Sequence, residues 1–200
     1  MKPLRVSATD IDALRYFEAN EDASLDALIS QLRRESAPSE AMLAGSALHS
    51  ALENAEPGEI ESIHSGDYTF DMRIEGEVAL PDIREMKATR EYRSGDHLVT
   101  LVGKVDAVLG LTVVDHKFTS RFDPDRFLNS MQWRIYLEVF GAEAFVWNIF
   151  EGREIGPKHY VINHLHVLKA HSYPEMGADV QRAVDHFVDF ACWHLPERFA

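Results

Sequence analysis

Apolar residues recur along this chain in two different periods, and the switch between them divides it into helical and extended stretches. In the first third the spacing is helical. Leu25, Leu28, Ile29 and Leu32 form a stripe opened by Ser24, and the stretch from Pro38 to Asn54 puts Met42, Gly45, His49 and Leu52 on one line. Ser7-Ala8-Thr9-Asp10 reads as the capping box of an earlier helix. From Tyr68 the period becomes two: Tyr68, Phe70, Met72 and Ile74 alternate as a strand. Val99 to Leu109 and Thr112 to Phe118 are rich in β-branched residues and are separated by Gly110-Leu111, which suits a type II′ hairpin turn. A helix is predicted from Pro124 to Phe140, stopped by Gly141. Ala144 to Phe150 is predicted as a strand turning at Glu151-Gly152, Val161 to Leu168 continues the sheet, and Met176 to His194 is a terminal amphipathic helix. The order predicts an α/β fold, a central mixed β-sheet flanked by helices. No repeat or low-complexity linker interrupts it, so residues 1–200 are expected to form one domain.

The hairpin turn implies a register. With Leu109 paired to Thr112, Val108 lies opposite Val113, Asp106 opposite Asp115 and Lys104 opposite Lys117, all on one face. Val105, Ala107, Leu109 and Val114 fall on the other face, which suits a core. Like charges directly opposite one another destabilise a sheet. A divalent cation between the two aspartates would reverse that cost, because hard cations take oxygen ligands and become the largest local charge. Gln132 and Tyr136, four apart on the predicted helix, point the same way.

Composition narrows the possibilities. The chain is 46% hydrophobic with no apolar run long enough to cross a bilayer, and Lys2 and Arg5 are not followed by a signal-peptide core. A cytoplasmic protein is expected. The single cysteine, Cys192, excludes internal disulfides and any cysteine-built metal or iron–sulfur site. With 33 acidic against 20 basic side chains, the chain cannot hold DNA by bulk charge. Any phosphate grip must come from a local groove, for which Arg90, Arg93, Lys104, Arg121, Arg126 and Arg134 are the candidates nearest in sequence to the hairpin.

Four elements in order, Gly45 with His49 and Glu53, Gly103 with Asp106, Asp115 with Lys117, and Gln132 with Tyr136, resemble the motifs of the RecB-like exonuclease branch of the PD-(D/E)XK nuclease superfamily. The resemblance covers most of the chain, and Ser7 to Asp10 resembles the start of that branch's first helix. The interval between Asp106 and Asp115 is shorter than in many relatives. The resemblance implies a restriction-endonuclease-like core and metal-dependent hydrolysis of DNA phosphodiesters, as in phage-type recombination or repair. It implies one or two Mg²⁺ or Mn²⁺ ions held by His49, Asp106, Asp115 and the carbonyl of His116. Lys117 would orient the attacking water, and Gln132 and Tyr136 would position Lys117 or a phosphate. Glu53 and Glu91 would stand behind the ligands. The partners implied are DNA, a basic protein such as a recombination protein, and, where it self-assembles, a second copy of the chain.

Two other readings stand beside this one. An inactive relative would use its acidic surface to meet a basic partner; the intact Asp106, Asp115 and Lys117 argue against that. His159, His164, His166 and His171 would centre a different metallohydrolase, which requires acidic partners that no recurring spacing supplies. Phe118, Trp133 and Trp147 could stack on bases but fit a core better.

Overall fold

The computed structural model describes residues 3–55, 58, 60–74, 78 and 83–199. In chain order the elements are β1 (Leu4–Ser7), α1 (Ala8–Ala19), α2 (Leu25–Leu32), α3 (Glu40–Glu53), β2 (Ser62–Ser65), β3 (Tyr68–Met72), β4 (Ile83–Ser94), β5 (His97–Leu109), β6 (Thr112–Thr119), α4 (Pro124–Leu128), α5 (Gln132–Phe140), β7 (Ala144–Gly156), β8 (His159–His171) and α6 (Met176–His194), followed by a short 3-10 turn at Pro196–Phe199. The class is α/β, with one mixed sheet of order β1-β5-β6-β7-β8-β3-β2 and β4 paired to β5. Among the described residues no helix is long and apolar enough to cross a membrane.

Two cores cover the sheet. The larger packs α1, α2, α5 and α6 against Val99, Leu101, Val105, Val113, Phe145, Trp147 and Ile149. The smaller packs α3 against Phe70, Met72, Phe150, Tyr160 and Ile162, with Phe118 at its margin. Phe150 alternates with Ile149 and Trp147 along β7, so the two cores lie on opposite faces of the sheet. Trp133 and Trp147 are buried in the larger core, so neither is free to stack on a base.

β5 organises the centre. β4 runs antiparallel along one side of it, from Ile83 opposite Val108 to Ser94 opposite His97. The other side is shared: β1 lies parallel to Val99–Val102, and β6 lies antiparallel to Ala107–Leu109. Between these two partners the edge of Gly103 to Asp106 faces no strand among the described residues. β1 ends there for a local reason. Ser7 caps α1, its hydroxyl accepting from Asp10 N while Asp10 accepts from Ser7 N, so the chain turns from strand to helix at Ser7.

Several expectations need correction. The helix predicted from Pro124 to Phe140 is two helices, because the amides of Met131 and Gln132 donate to the Asp12 carboxylate at 2.6 and 3.0 Å instead of continuing α4. The helix predicted from Pro38 begins at Glu40, capped by Ser39. Its buried stripe is Ala44, Ala47, Leu48, Ala51 and Leu52; Met42 is exposed, and His49 sits at the stripe's margin. The β7–β8 turn falls after Gly156, and Glu151-Gly152 is a register shift inside the ladder. Glycine is required there because a Cβ at Gly152 would run into the Val161 carbonyl. β1, β2 and β4 carry too little apolar alternation to be read from sequence; β4 is rich in exposed charge, as suits a strand on a sheet edge.

Candidate active site

The expected hairpin register holds for three pairs, Leu109 with Thr112, Val108 with Val113 and Ala107 with Val114, and then the ladder ends. Gly110 takes φ +59, as the turn requires. Asp106 and Asp115 are therefore not hydrogen-bonded strand partners. The inside-outside alternation of β5 also breaks at Asp106, since Val105 and Val108, three apart, both pack on the larger core. On the β4 side the residue beside Asp106 in register, Glu85, is left-handed at φ +55. The Asp106 carboxylate turns into the gap between β5 and β6, where Oδ2 accepts the His116 amide at 2.6 Å.

The two lysines expected to face each other part company. Lys104 is exposed and pairs with Glu85. Lys117 is half-buried and lies on Asp115, with Nζ 2.9 Å from Oδ1 and 2.7 Å from Oδ2. The Oδ1 contact has hydrogen-bond geometry, and Oδ2 is a buried carboxylate oxygen that meets Lys117 as an ion-pair contact alone. Leu109, expected in the core, is 65% exposed at the hairpin tip, whereas Val105, Ala107 and Val114 are buried as expected.

The gap admits groups from both faces of the sheet. From the side of the smaller core, α3 brings His49 Nδ1 to 3.2 Å from Asp106 Oδ1. From the side of the larger core, α5 brings Tyr136, whose hydroxyl accepts from Gln132 Nε2 at 3.2 Å. Gly103 makes that approach possible, because a Cβ there would stand 3.0 Å from the Phe140 ring and 3.3 Å from that of Tyr136. The Gly-x-x-Asp spacing thus has a packing reason: the glycine lets α5 down onto the strand that carries the acid. His116 has its ring buried, 3.4 Å from the Asn148 amide and edge-on to the His49 ring, while its backbone amide faces Asp106. Glu53 lies exposed at the end of α3. Glu91 is exposed opposite Thr100, six residues along β5 from Asp106, roughly 20 Å at the strand rise, and cannot stand behind the aspartates.

The charges here are interdependent. Burial opposes ionisation of Asp106, but His49, Lys117 and the His116 amide outweigh it and hold the carboxyl down to about 2. Asp115 goes the other way: burial, and then Asp106, raise it despite Lys117. Burial weakens the Lys117 ammonium, yet Asp115 and Asp106 more than compensate and leave it raised. Tyr136 is pushed far up by burial and by Asp115, Asp106 and Asp12, so it is a neutral phenol. Opposed shifts on two carboxyl groups in one cleft are a feature of active sites and of structural ion-pair networks alike.

Asp12 is the residue that sequence reasoning missed. It projects from α1 into the start of α5, and burial raises its carboxyl despite the Met131 and Gln132 amides, Arg15 and Lys117. Its role depends on residues about 120 positions away, and an aspartate inside an amphipathic helix carries no local signal of that.

Among the described residues no three His, Cys, Asp or Glu side chains are arranged to hold a metal ion. Asp106 is engaged by His49, and Asp115 by Lys117. The donor types nevertheless fit a hard divalent cation: two carboxylates at a gap in the sheet, with an imidazole beside one of them.

Of the four histidines of the other cluster only His164 and His166 lie together, as neighbours on β8 with ring centroids 5.8 Å apart. His159 pairs with Asp71 at 2.8 Å, His166 pairs with Glu151 at 2.7 Å and stacks on Phe122, and His171 lies at the far end of β8. Three of the six basic candidates are engaged elsewhere. Arg90 pairs with Glu138, Lys104 with Glu85, and Arg134 binds backbone carbonyls at the α4–α5 junction.

No family model matches the chain, and no curated protein does. Among solved structures, that of the protein SSO0001 superposes with a TM-score of 0.53 over 95% of this chain and 78% of that one, at 17% identity. That likeness extends to the fold.

Proposed function

We propose that this chain is a metal-dependent nuclease of the PD-(D/E)XK type, an exonuclease hydrolysing DNA phosphodiesters in recombination or repair. The observation that carries the reading is the gap between β5 and β6, into which Asp106 of β5, Asp115 and Lys117 of β6 and His49 of α3 converge, with Asp115 buried and Lys117 its ion-pair partner. His49, Asp106, Asp115 and the His116 carbonyl are the groups that would hold Mg²⁺ or Mn²⁺. Such an ion supplies Lewis-acid polarisation of the phosphate and lowers the pKa of a water toward neutrality.

The protein's own groups have distinct tasks. Lys117 stays an ammonium, so it donates and cannot serve as base; it orients a water oxygen and stabilises charge developing on the phosphate. Tyr136, a neutral phenol tied to Gln132, offers a donor to a phosphate oxygen rather than a negative charge that would repel it. Asp12 fixes the first turn of α5, from which Gln132 and Tyr136 project.

The test is end-labelled single- and double-stranded DNA with Mg²⁺ or Mn²⁺, beside Mn²⁺ titration calorimetry. Asp115→Asn should lose metal binding and cleavage together. Lys117→Ala should keep the metal and lose turnover by orders of magnitude. Equal cleavage by wild type and both variants would remove this site as its source. Metal binding by the wild type without cleavage of any nucleic acid would favour the inactive interaction module.

A further inference from the structure

Beside the α4–α5 junction a groove of about 620 Å³ runs between α1 and α6, within the size range of ligand sites. Its charge departs from that of the chain. The whole sequence has 33 acidic and 20 basic side chains, whereas the groove is lined by Arg15, Arg134, Arg182 and His186 against Glu18 and Asp179. The acids do not close it. Asp179 pairs with Arg182, whose side chain is 69% exposed, and Glu18 pairs with His186, 56% exposed. Pairs this open to water are weak and exchange readily for a better anion.

The arginines are held but not saturated. Arg134 gives Nη1 to the Ser130 and Leu128 carbonyls and Nε to the Tyr173 hydroxyl, and Arg15 gives Nη2 to the Asn129 carbonyl. Among the described residues, Nη2 of Arg134 and Nε and Nη1 of both Arg15 and Arg182 have no partner. Arg15 and Arg182, each held through one nitrogen, keep N–H groups that match phosphate oxygens, while Arg134, held at Nε and Nη1 and lying 4.3 Å over the Trp133 ring, adds its charge and Nη2. Between them Ile11, Leu14 and Met131, side chains of the larger core, close the bottom of the groove.

The groove also continues the site. Met131 lines it and gives its amide to Asp12, while Gln132, the next residue, faces Tyr136. Arg15 stands one turn along α1 from Asp12.

We propose that this groove holds the phosphate backbone of single-stranded nucleic acid leading to or from the β5–β6 gap, giving an acidic protein its local phosphate grip. It rests on the nuclease reading for the identity of the strand. A slot of this volume between two helices takes a nucleotide or two of one strand, not a duplex.

The test measures binding of a short fluorescein-labelled single-stranded oligonucleotide in EDTA across a salt series, separately from cleavage with Mg²⁺ or Mn²⁺. Arg15→Ala and Arg182→Ala should each weaken binding and flatten the slope of log affinity against log salt by about 0.7, the single-strand value per phosphate contact. Arg153→Ala, an exposed arginine on β7 with the same charge change, should leave the slope alone. Equal slopes in all forms, an equal fall in Arg153→Ala, or no binding by the wild type would overturn the groove. So would loss of affinity for a deoxynucleoside monophosphate without loss for the strand, which would make the ligand a free nucleotide. Groove-dependent binding without cleavage would sink the nuclease reading alone, and cleavage with unchanged slopes would sink the groove alone.

Discussion

Two of the molecule's histidine–carboxylate pairs, His166 with Glu151 and His49 with Asp106, lie against the same sheet and differ in what surrounds them. His166 meets Glu151 at 2.7 Å across the β7–β8 ladder, with Glu151 Oε1 also accepting the Phe122 amide and the imidazole stacked on the Phe122 ring. Both members of that pair have further local contacts, and although the register shifts at Glu151/Gly152 the two strands stay paired on either side of it. His49 meets Asp106 at 3.2 Å where strand pairing has stopped, beside a second buried carboxylate and one ammonium. The first pair is an ordinary stabilising contact. The second sits where the backbone has withdrawn its own hydrogen bonds, and carboxylates fill the opening. Proximity of histidine to acid is therefore a poor guide to chemistry; an interrupted ladder with competing charges is a better one.

The comparison is broken most directly by removing each histidine. His49→Ala should weaken Mn²⁺ binding by roughly tenfold or more, since loss of even supporting groups around a metal commonly costs about that. His166→Ala should leave the same calorimetric titration unchanged. An unchanged affinity in His49→Ala would make the two pairs alike and His49 a core-margin residue.

A smaller effect is expected at Asp12. Asp12→Ala removes two charge-assisted bonds to the start of α5 and should cost about 1–2 kcal/mol, as loss of a helix cap does. Hydrogen exchange at the Met131 and Gln132 amides should accelerate while Mn²⁺ affinity holds and turnover falls. Protection of both amides at the wild-type level would mean that water or another group caps α5 equally well.

The smallest effect is at Glu151. His166 first, and then the Phe122 amide, hold its carboxyl below the ordinary value, so the pair's contribution is present above the usual carboxylate range and is lost as pH falls through the lowered value. Glu151→Gln keeps an acceptor for Phe122 and should lower stability by about 0–1 kcal/mol near neutrality, the range for an accessible ion pair. The difference in Tm should shrink toward acid. A difference that persisted at acid pH would place its origin in packing instead of charge.

Much of this arrangement was legible along the chain because it depends on near neighbours. Periodicity found α2, α3, β3, the β5–β6 hairpin and α6, since one apolar face per element is a local property. The three pairs nearest Gly110 followed from the turn, because a two-residue loop leaves the adjoining strands one register. The hairpin pattern singled out Asp106, Asp115 and Lys117, and the resemblance to the RecB-like motifs added His49, Gln132 and Tyr136 as candidates.

Only the tertiary structure decided how those residues meet. Extending the hairpin register predicted Asp106 opposite Asp115 and Lys104 opposite Lys117, but strands diverge when other elements compete for their edges, and β1, α1 and α5 all contact β5. Asp12 acquires its role only when α1 packs against the start of α5, and Gly103 only when α5 lies on β5. The arginines of the groove come from α1, α5 and α6, and no window of sequence holds them together. Patterns within one element are set by backbone periods of 2 and 3.6 residues, which any stretch of chain expresses by itself. A break in a ladder, a cap supplied from afar and a clustered charge are set by which elements press on one another, and that depends on the whole packed molecule.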